Sequence, residues 1–502
     1  MELRKYQIKA IEDIRHHFSR GKKRILLTAP CGSGKTVVAS AMMQKANERG
    51  NKNLFVAHRR ELVMQCSRKL GDFGLNHGVI LSGKSPNMMS DVQVASVQSF
   101  IARRDRDSFI LPKADLIILD EAHRSVSGQF QALIKIYPNS FIIGLTATPI
   151  RNDGRGLGNI YEELVECGTI KELTKLGYLV PNRIVAPTIP DLQKISVVAG
   201  DYDKKALTKK MNTAKLVGDI VEHWIRFSDT ENGYRPTVVF ATSIAHSKHI
   251  ANIFNQNGVK AGHIDSKMSE IDRETQLANL NNGKIKVLCN CQILTEGWDC
   301  ARVSCVIIAR PTKSFPLYLQ MVGRSFRIFP NKKDTVIIDH SGCVYEFGMP
   351  EDADGNWTLS TKKPKTRDRI KDPLPIEKQP FTCVQCDTVY QPTKDDPSCK
   401  NCGFISTKKE RVVLISEGRL VEMPKTKPNA DDKNNFFAQL LYYSRQKGFR
   451  DGWASHCFKQ KYGHWPHSKQ IFPIATGKDV IGFIQHLNIR RAKSRNIREL
   501  NL

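Results

Sequence analysis

The stretch TAPCGSGKT, residues 28–36, decides the fold of this chain. It follows a short apolar run, residues 24–28, that suits a buried parallel strand, and it precedes an apolar stretch with helical spacing. Strand, glycine-bearing turn and helix, in that order, are the context of a phosphate-binding P-loop. The pattern predicts a nucleoside triphosphate site formed by Ala29, Gly32, Ser33, Gly34, Lys35 and Thr36.

The residue types in this loop match the chemistry of a triphosphate and its metal ion. Gly32 and Gly34 let the backbone turn closely enough for its N–H groups to face phosphate oxygens. We expect Lys35 at the β- and γ-phosphates and the hydroxyl of Thr36 at a magnesium ion. ATP and Mg²⁺ are therefore the predicted cofactors of the loop.

The stretch ADLIILDEAH, residues 114–123, carries two carboxylates directly after an apolar run. The run predicts a parallel strand, and α/β sheets bind their ligands at the carboxyl ends of such strands. We expect Asp120 to hold magnesium, directly or through water, and Glu121 to orient and polarise the attacking water. Adjacent carboxylates after a strand are common, but together with the P-loop they predict nucleotide hydrolysis.

The charge balance points to a polyanionic partner. The 502 residues include 77 Lys plus Arg and 50 Asp plus Glu, a formal net charge of +27. Nucleic acid is the leading candidate, and a merely basic, well-solvated surface is the alternative. No run approaches the ~18 uncharged apolar residues of a membrane span, so we expect a cytoplasmic chain with reduced cysteines and no membrane partner.

Polar side chains follow several other predicted strands, where a nucleic-acid backbone can bind. Arg59 and Arg60 follow the apolar run NLFVA, although a solvated pair of charges at a helix start explains either arginine alone equally well. Small polar groups and amides after further strands suit contacts with sugar and phosphate. The predicted nucleic-acid contacts are Arg59, Arg60, Ser96, Gln98, Ser243 and Thr295.

A second alternating α/β series begins at residue 236 and has no P-loop of its own. In a composite ATPase, the lobe without a P-loop supplies arginines to the γ-phosphate across a cleft. SFPLYLQMVGRSFR, residues 314–327, offers Arg324 and Arg327 for this role, and Asp299 is placed to touch the ribose. Each residue taken alone is equally consistent with a surface or core position; their order and spacing favour the assignment.

Residues 1 to about 345 resemble the core of superfamily 2 helicases. The motifs A-x-x-G-x-G-K-T, DEAH, TAT and Q-x-x-G-R-x-x-R occur in that order. The resemblance implies that Gln7, with Arg4, reads the adenine from the segment LRKYQIKAI before the P-loop. It also implies a set of residues that couple hydrolysis to nucleic acid, namely His123, Thr146, Thr148 and Gln320.

Within that superfamily the chain is most similar to the RadD (YejH) group of bacterial and phage helicases. The segments HRRELV, ASVQSF, GLTATP, LTEGWD and QMVGRSFR, followed by VIIDHSG, carry this resemblance. Res-type restriction subunits and XPB-like helicases share much of the same motif set. The RadD-like resemblance implies a role in DNA repair or recombination and a single-stranded DNA-binding protein as a partner.

Two C-x-x-C pairs, CVQC and CKNC, follow the helicase-like region and are separated by twelve residues. Four cysteines at this spacing in a cytosolic chain favour a tetrahedral zinc ion over disulfides, with redox chemistry or chance as the alternatives. Four thiolates leave no open position for water, so the zinc is expected to be structural. The predicted ligands are Cys383, Cys386, Cys399 and Cys402.

The tail from 431 to 502 holds 13 Lys plus Arg and 5 Asp plus Glu, with aromatic residues at helical spacing. Aromatic residues in such a pattern are more often core residues than platforms for stacking bases. The excess positive charge nevertheless favours a DNA-binding accessory module.

The predicted fold is α/β, with two tandem RecA-like parallel-sheet domains, a small zinc ribbon and a mainly α-helical C-terminal region. The predicted boundaries are 1–185 for the ATP-binding domain, 186–348 for the connecting segment and second RecA-like domain, 349–380 for a linker, 381–410 for the zinc ribbon and 411–502 for the basic accessory region. The predicted function is an ATP-dependent DNA helicase or translocase acting on single-stranded or branched DNA. The alternatives are an RNA helicase, the motor subunit of a restriction system, and a nucleic-acid clamp with little ATPase activity.

Overall fold

The computed structural model describes most of the chain. The described residues are 2–85, 87–104, 109–151, 154–186, 192, 195–198, 201–231, 233–352, 357–362, 380–393, 396–405, 430–462, 465–466, 471–477, 480 and 483–484. They fall into two compact units, Met1–Ser416 and Glu417–Leu502. The first unit contains two lobes, each with one large sheet.

The first lobe alternates helices and strands. Its helices are α1 (Lys5–Ser19), α2 (Lys35–Asn47), α3 (Arg60–Asp72), α4 (Val97–Arg104) and α5 (Gly128–Ile136). Its strands are β1 (Arg24–Thr28), β2 (Asn53–Ala57), β3 (Gly78–Ile80), β4 (Val92–Ser96), β5 (Leu116–Asp120), β6 (Phe141–Thr146) and β7 (Glu163–Glu166).

These strands form one parallel sheet in the order β3-β4-β2-β5-β6-β1-β7. Helices α1, α2 and α3 pack on one face, and α4 and α5 pack on the other. Because both faces are covered, the central strands are continuous apolar runs rather than alternating ones. The P-loop follows β1 and the two carboxylates follow β5, so both emerge at the same carboxyl edge, with β6 between them.

The remaining elements of the first unit follow β7. The helices are α6 (Ile170–Lys175), α7 (Lys204–Met211), α8 (Ala214–Ser228), α9 (Ile244–Gln256), α10 (Glu270–Asn281), α11 (Phe315–Val322) and α12 (Cys343–Phe347). The strands are β8 (Asn182–Val185), β9 (Val197–Val198), β10 (Asp201–Tyr202), β11 (Thr237–Ala241), β12 (Ala261–Ile264), β13 (Val287–Asn290), β14 (Cys305–Ala309), β15 (Thr335–Asp339), β16 (Phe381–Thr382) and β17 (Thr388–Tyr390).

The second sheet has the order β12-β13-β11-β14-β15-β8-β17-β16, and β9 and β10 form a separate antiparallel pair. Strands β8 and β11 to β15 pair in parallel. The sequence assigned residues up to 185 to the first domain, but β8 lies inside the second sheet and α6 packs into the core of that lobe. The chain therefore enters the second lobe before α6, earlier than predicted.

The cysteine-bearing hairpin also belongs to the second sheet. Strand β17 pairs antiparallel with both β16 and β8. The hydroxyls of Tyr345 and Thr382 form a hydrogen bond, and Arg226 lies 2.7 Å from the Asp387 carboxylate. The sequence suggested a ribbon held apart by a linker, whereas backbone hydrogen bonds join this hairpin to the second lobe.

Residues 357–362, which we call the strap segment, lie within the predicted linker and touch both lobes. Trp357 packs against the core of the second lobe, and Leu359 packs against that of the first. The N–H groups of Gly156 and Gly158 donate to the carbonyl oxygens of Ser360 and Leu359, each at 2.8 Å. This part of the linker is therefore an ordered connection between the lobes.

The second unit contains α13 (Ala430–Gln446) and α14 (Asp451–Tyr462). Their buried side chains form a small core with residues near 480, consisting of Phe436, Phe437, Leu440, Leu441, Ala454, Cys457, Phe458, Val480 and Ile484. Several aromatic residues of the tail are thus core residues, as their spacing indicated. The basic end, residues 488–498, lies outside the described residues. Within the described part of the chain, no helix has the length and apolar character needed to span a bilayer.

Gly158→Val is expected to detach the strap segment from the first lobe. A Cβ atom at position 158 would lie 2.5 Å from the Leu359 carbonyl oxygen, so a branched side chain must displace that backbone. We expect faster hydrogen exchange across residues 357–362 and a loss of about 1–3 kcal/mol in the free energy of unfolding. Gly71→Ala, at a helical glycine with open space around it, is the control. Unchanged exchange in Gly158→Val would contradict the assignment.

Candidate active site

The P-loop joins β1 to α2 through two glycines with positive φ. Gly32 and Gly34 have φ of 87° and 89°, in the region that glycine adopts without strain. Lys35 begins α2, and its ammonium donates to the carbonyl oxygens of Ala29 at 3.0 Å and Pro30 at 3.4 Å. Because charge-assisted bonds to phosphate are stronger than bonds to neutral carbonyls, the ammonium can exchange these partners for phosphate oxygens.

Side chains at the start of α1 brace the P-loop. The buried Gln7 amide donates to the Ser33 carbonyl at 3.0 Å and accepts from the Arg4 N–H at 3.0 Å. The Tyr6 hydroxyl donates to the same Ser33 carbonyl at 2.6 Å, and the Arg4 guanidinium lies 4.8 Å from the centre of the Tyr178 ring. The roles of Gln7 and Arg4 toward adenine stay predictions. Tyr6 was not predicted as a site residue, although it stands beside Gln7.

Asp120 and Glu121 lie buried at the carboxyl end of β5. Burial and the nearby carboxylates of Glu121 and Glu296 raise the pKa of Asp120 to about 7, and Lys35 offsets only part of this effect. Glu121 has an unusual φ of 51°, and its Oε2 is buried without a hydrogen-bond partner among the described residues. Buried carboxylates with so little compensating charge fit a divalent cation. Asp120, with Thr36 at the start of α2, would hold magnesium.

His123 connects the carboxylates to the turn after β6. Its Nδ1 lies 3.4 Å from both Thr146 Oγ1 and Glu121 Oε2. Burial lowers the pKa of His123, so the imidazole is neutral at pH 7 and carries one N–H. The Thr146 hydroxyl donates to the Thr148 carbonyl at 2.8 Å, and the Thr146 carbonyl accepts from the Ala29 N–H at 3.0 Å. The structure thus brings three of the four predicted coupling residues together beside the P-loop.

The two lobes touch at the tip of the P-loop. A Cβ atom on Gly323 would lie 2.4 Å from Cys31 Cβ, so glycine alone fits at this contact without displacing the loop. A Cβ atom on Gly32 would lie 3.0 Å from Arg327 Cγ. The arginine-bearing segment of the second lobe therefore lies directly against the P-loop.

Arg324 and Arg327 have different surroundings. The buried guanidinium of Arg324 donates to the carbonyl oxygens of Trp298 at 2.6 Å and Thr295 at 2.7 Å, both in its own lobe. Arg327 Nε lies 2.9 Å from the carboxylate of the exposed Asp299. Arg324 thus braces the loop at 295–298, whereas Arg327 faces the P-loop. The finger roles, and the ribose contact of Asp299, stay predictions.

Glu296 is a site residue that the sequence analysis missed. It comes from the second lobe, is 5% exposed, and its carboxylate lies 2.8 Å from His58 Nε2, 3.1 Å from Arg59 Nε and 3.1 Å from Arg124 Nη2 of the first lobe. His123 Nε2 is 3.8 Å away. Burial would raise the pKa of Glu296, but His58 and the two arginines hold it well below its usual range. In the sequence, the one feature that could have indicated Glu296 as a site residue is its acidic side chain within the motif-like segment LTEGWD.

The predicted phosphate-binding arginines both contact the second lobe. Arg59 pairs with Glu296 and donates to the Ile293 carbonyl at 3.1 Å. Arg60 Nε lies 2.9 Å from the carboxylate of Glu270 in α10. In this structure both arginines therefore contribute to the interface between the lobes.

The smaller predicted contacts also have local partners. The Ser96 hydroxyl donates to Ser99 Oγ at 2.9 Å, and Thr295 Oγ1 donates to the Gln292 carbonyl at 2.9 Å. Ser243 caps α9, where its side chain accepts from a backbone N–H. Their roles at nucleic acid stay predictions.

A cleft of about 940 Å³ lies between the lobes. Its lining includes basic and amide side chains from both lobes, namely Arg59, Gln98, Arg124, Arg151, Arg310 and Gln320. Thr295 and Glu296 also line it, whereas Arg60, Ser96 and Ser243 lie outside the lining. We call this space the interlobe cleft. Its excess of arginine suits a polyanion.

The four predicted zinc ligands converge. Their sulfur atoms all lie within 4.8 Å of one another, with Cys383 and Cys402 at 3.5 Å. Tetrahedral zinc with bonds of about 2.3 Å requires sulfur separations near ~3.8 Å. The N–H groups of Asp387 and Gly403 donate to the carbonyls of the first cysteine in each pair at 2.9 and 2.8 Å, so the two knuckles have the same turn. The cluster fits a structural zinc ion.

Two family models match the chain. Residues 1–151 match "Type III restriction enzyme, res subunit" and residues 218–329 match "Helicase conserved C-terminal domain". The first match contains the P-loop and the buried carboxylates, and the second contains Glu296 and both predicted finger arginines.

The chain is also similar to curated proteins and to a solved structure. A 51.5 kDa protein of Lactococcus phage (isolate 7-9) is 29% identical over 83% of this chain and 86% of its own length. The Saccharomyces cerevisiae protein named as ATP-dependent helicase IRC3 is 31% identical over 68% of this chain, which spans about half, 52%, of that protein. The Type ISP restriction-modification enzyme LlaBIII, solved bound to DNA, is similar in fold alone, with a TM-score of 0.52 and 20% identity over 68% of this chain and 28% of its own. Over its two RecA-like domains the chain is therefore similar to helicases and to restriction-enzyme subunits.

Proposed function

We propose that this chain is an ATP-dependent DNA helicase or translocase that couples ATP hydrolysis between its lobes to movement on, or remodelling of, DNA. The observation that carries the proposal is the contact at Gly323. There the arginine-bearing segment of the second lobe lies against the P-loop of the first, beside a basic interlobe cleft. In this proposal, the nucleotide site and the polyanion site lie at the same interface between the lobes.

Hydrolysis by this site needs positioning and charge stabilisation rather than a covalent intermediate. Lys35 would bind the β- and γ-phosphates, and Glu121 would hold and polarise the attacking water. Thr36 and Asp120 would hold magnesium, which would supply positive charge at the phosphate oxygens. Arg327, which already faces the P-loop, would stabilise charge on the γ-phosphate from the second lobe.

The same contacts explain how turnover would move the lobes. The γ-phosphate would attract Lys35 from one lobe and Arg327 from the other, so its loss removes a charge that holds the lobes together. The interlobe cleft is bounded by both lobes, and its shape must change when they separate. Nucleic acid bound there would be shifted in each cycle.

DNA is the proposed polyanion. The net charge of +27 and the arginines of the interlobe cleft support a nucleic acid, and the fold is shared with an enzyme that was solved bound to DNA. A role in DNA repair or recombination, the DEAH-box and RadD-like assignments and a single-stranded DNA-binding protein as partner rest on the motif resemblance.

A second candidate is the motor subunit of a restriction system. The match of residues 1–151 to the res-subunit model and the fold likeness to LlaBIII favour it. In that function this chain would supply translocation, and cleavage would come from a partner chain.

ATPase activity measured with different nucleic acids tests the proposal. We expect turnover by the full chain to rise with single-stranded or forked DNA more than with duplex DNA or RNA. Strand separation of a forked substrate distinguishes a helicase from a translocase. Stimulation by RNA alone would favour the RNA-helicase alternative, and the absence of any ATPase activity would favour a clamp.

Lys35→Ala and Glu121→Gln are expected to abolish ATP turnover and leave the fold intact. Each removes a charge at the phosphate or water site rather than a packing group, so the loss of kcat should be about 10²-fold or more while thermal unfolding is unchanged. Glu121→Gln should still bind ATP in a fluorescent-nucleotide titration. Glu48→Gln, on the exposed end of α2, is the matched control. Near-normal ATP hydrolysis in either variant would contradict the catalytic role proposed for that residue.

Arg324→Ala and Arg327→Ala are expected to differ in stability. Loss of Arg324 leaves two buried carbonyl oxygens unpaired, which costs about 1–3 kcal/mol each, whereas Arg327 pairs with an exposed carboxylate. Arg327→Ala should instead reduce kcat by about 10³-fold, as loss of an arginine finger does. Urea unfolding and ATPase assays on both variants provide the measurements. Equal losses of stability would contradict the different roles of the two arginines.

Zinc removal is expected to loosen the second lobe. We expect one zinc ion per chain by metal analysis, and none in Cys383→Ser. Because β17 pairs with β8, loss of the metal should speed hydrogen exchange in β8 and β15 and not only in the hairpin. Cys457→Ala, a cysteine outside the cluster, should keep its zinc. A zinc-free variant with unchanged exchange in β8 would show that the hairpin does not support this lobe.

A further inference from the structure

One buried carboxylate of the interlobe cleft has no part in the hydrolysis scheme above. Glu296 reaches from the second lobe into the first, where His58, Arg59 and Arg124 surround it. Its contacts extend in two directions. One side meets the arginines that line the cleft, and the other meets His123, which touches Glu121.

The arginines around Glu296 are available to a second anion. The side chains of Arg59 and Arg124 are 26% and 43% exposed, and both line the interlobe cleft. Guanidinium groups bind carboxylate and phosphate with the same planar arrangement of donors. A nucleic-acid phosphate that enters the cleft therefore competes with Glu296 for the same two partners.

The histidine on the other side of Glu296 can serve only one neighbour at a time. The neutral imidazole of His123 has one N–H, and its two nitrogens face different carboxylates: Nδ1 lies 3.4 Å from Glu121 Oε2 and Nε2 lies 3.8 Å from Glu296 Oε1. If the N–H is on Nδ1, it is directed to Glu121 and Thr146. If it is on Nε2, it is directed to Glu296, and Nδ1 no longer presents a proton toward Glu121.

We propose that Glu296 is a positioning residue that reports nucleic acid in the interlobe cleft to the hydrolysis site through His123. The inference rests on the proposed function, because it assumes an ATPase that responds to nucleic acid. Without nucleic acid, the arginines neutralise Glu296 and the N–H of His123 remains on Nδ1. When phosphates take Arg59 and Arg124, the Glu296 carboxylate keeps His58 as its hydrogen-bond partner but loses both guanidinium charges, and it attracts the His123 proton to Nε2. One proton moves between the two ring nitrogens by exchange with solvent, and no net charge changes. The Nδ1 proton then no longer competes with water for the Glu121 carboxylate.

Glu296→Gln distinguishes a positioning role of Glu296 from a merely structural one, because the two roles predict different changes in DNA binding and in ATPase stimulation. The change removes a negative charge beside two arginines of the cleft, so oligothymidine should bind about three- to tenfold more tightly. The signal to His123 is lost as well, so the ratio of stimulated to unstimulated kcat should fall at least about fivefold, toward one. Tighter binding combined with weaker stimulation is the expected result.

Glu270→Gln is the matched control. Glu270 is also a carboxylate of the second lobe that pairs with an arginine of the first, but its side chain is 52% exposed and lies outside the lining of the cleft. Its oligothymidine affinity and its stimulation ratio should equal those of the wild type. A loss of stimulation in Glu270→Gln as large as in Glu296→Gln would overturn the specific role of Glu296.

Arg124→Gln provides a second test. It changes a partially exposed side chain, so it does not require a substitution at the buried Glu296. Removing this partner imitates its capture by phosphate, so ATPase activity without nucleic acid should rise severalfold, and the rise should disappear in the double variant with Glu296→Gln. No rise in Arg124→Gln would overturn the inference, even if Glu296→Gln fails to fold.

The wild type separates failure of the inference from failure of the proposed function. If wild-type ATPase activity does not respond to any nucleic acid, the proposed function is wrong and the inference falls with it. If the wild type is stimulated by oligothymidine and Glu296→Gln keeps the same ratio, or binds more weakly with a proportional loss of activity, the inference alone is overturned.

Discussion

The repulsion among three neighbouring buried carboxylates, Asp120, Glu121 and Glu296, is the constraint on which the rest of the site depends. Charges removed from water must be paired or neutralised. Glu296 is paired with three basic groups, and its pKa is lowered, whereas Asp120 has mainly Lys35 and a pKa raised to about 7. The basic side chains of this region therefore surround Glu296, the carboxylate that joins the lobes. The pair at Asp120 and Glu121 remains short of positive charge, which is the condition for binding a divalent cation.

The two parallel sheets determine where these carboxylates and the P-loop lie. Parallel strands present their carboxyl ends at one edge, so the P-loop and the carboxylates emerge together although β6 separates their strands. The cores of the two lobes are distinct, and the strap segment, the ion pairs of Glu270 and Glu296 and the contact at Gly323 connect them. Lobes that are joined by local contacts and not by a shared apolar core can move relative to each other, as the proposed cycle of ATP hydrolysis requires.

The sequence predicts the parts of this structure that depend on neighbouring residues. Apolar runs, the P-loop turn and the C-x-x-C pairs are local patterns, and strands, nucleotide loop and cysteine cluster occur where they indicated. Two of the findings depend on distant partners. Strand β8 pairs with β15 about 150 residues later, and Glu296 meets His58 across 238 residues. No periodicity carries that information, so the boundary near 185 was misplaced and the contacts of Arg59 and Arg60 with the second lobe were not predicted.

Arg59 and Arg60 show how burial changes the free-energy cost of breaking an ion pair between arginine and glutamate. The pair of Arg60 with Glu270 is exposed on both sides, so it contributes less than about 1 kcal/mol and breaks easily when the lobes separate. The pair of Arg59 with Glu296 is largely buried, and breaking it leaves a charge without a partner. That pair can open at low cost only if another anion replaces the carboxylate. Opening of the interlobe cleft and binding of a polyanion are therefore linked, and each favours the other to the same extent.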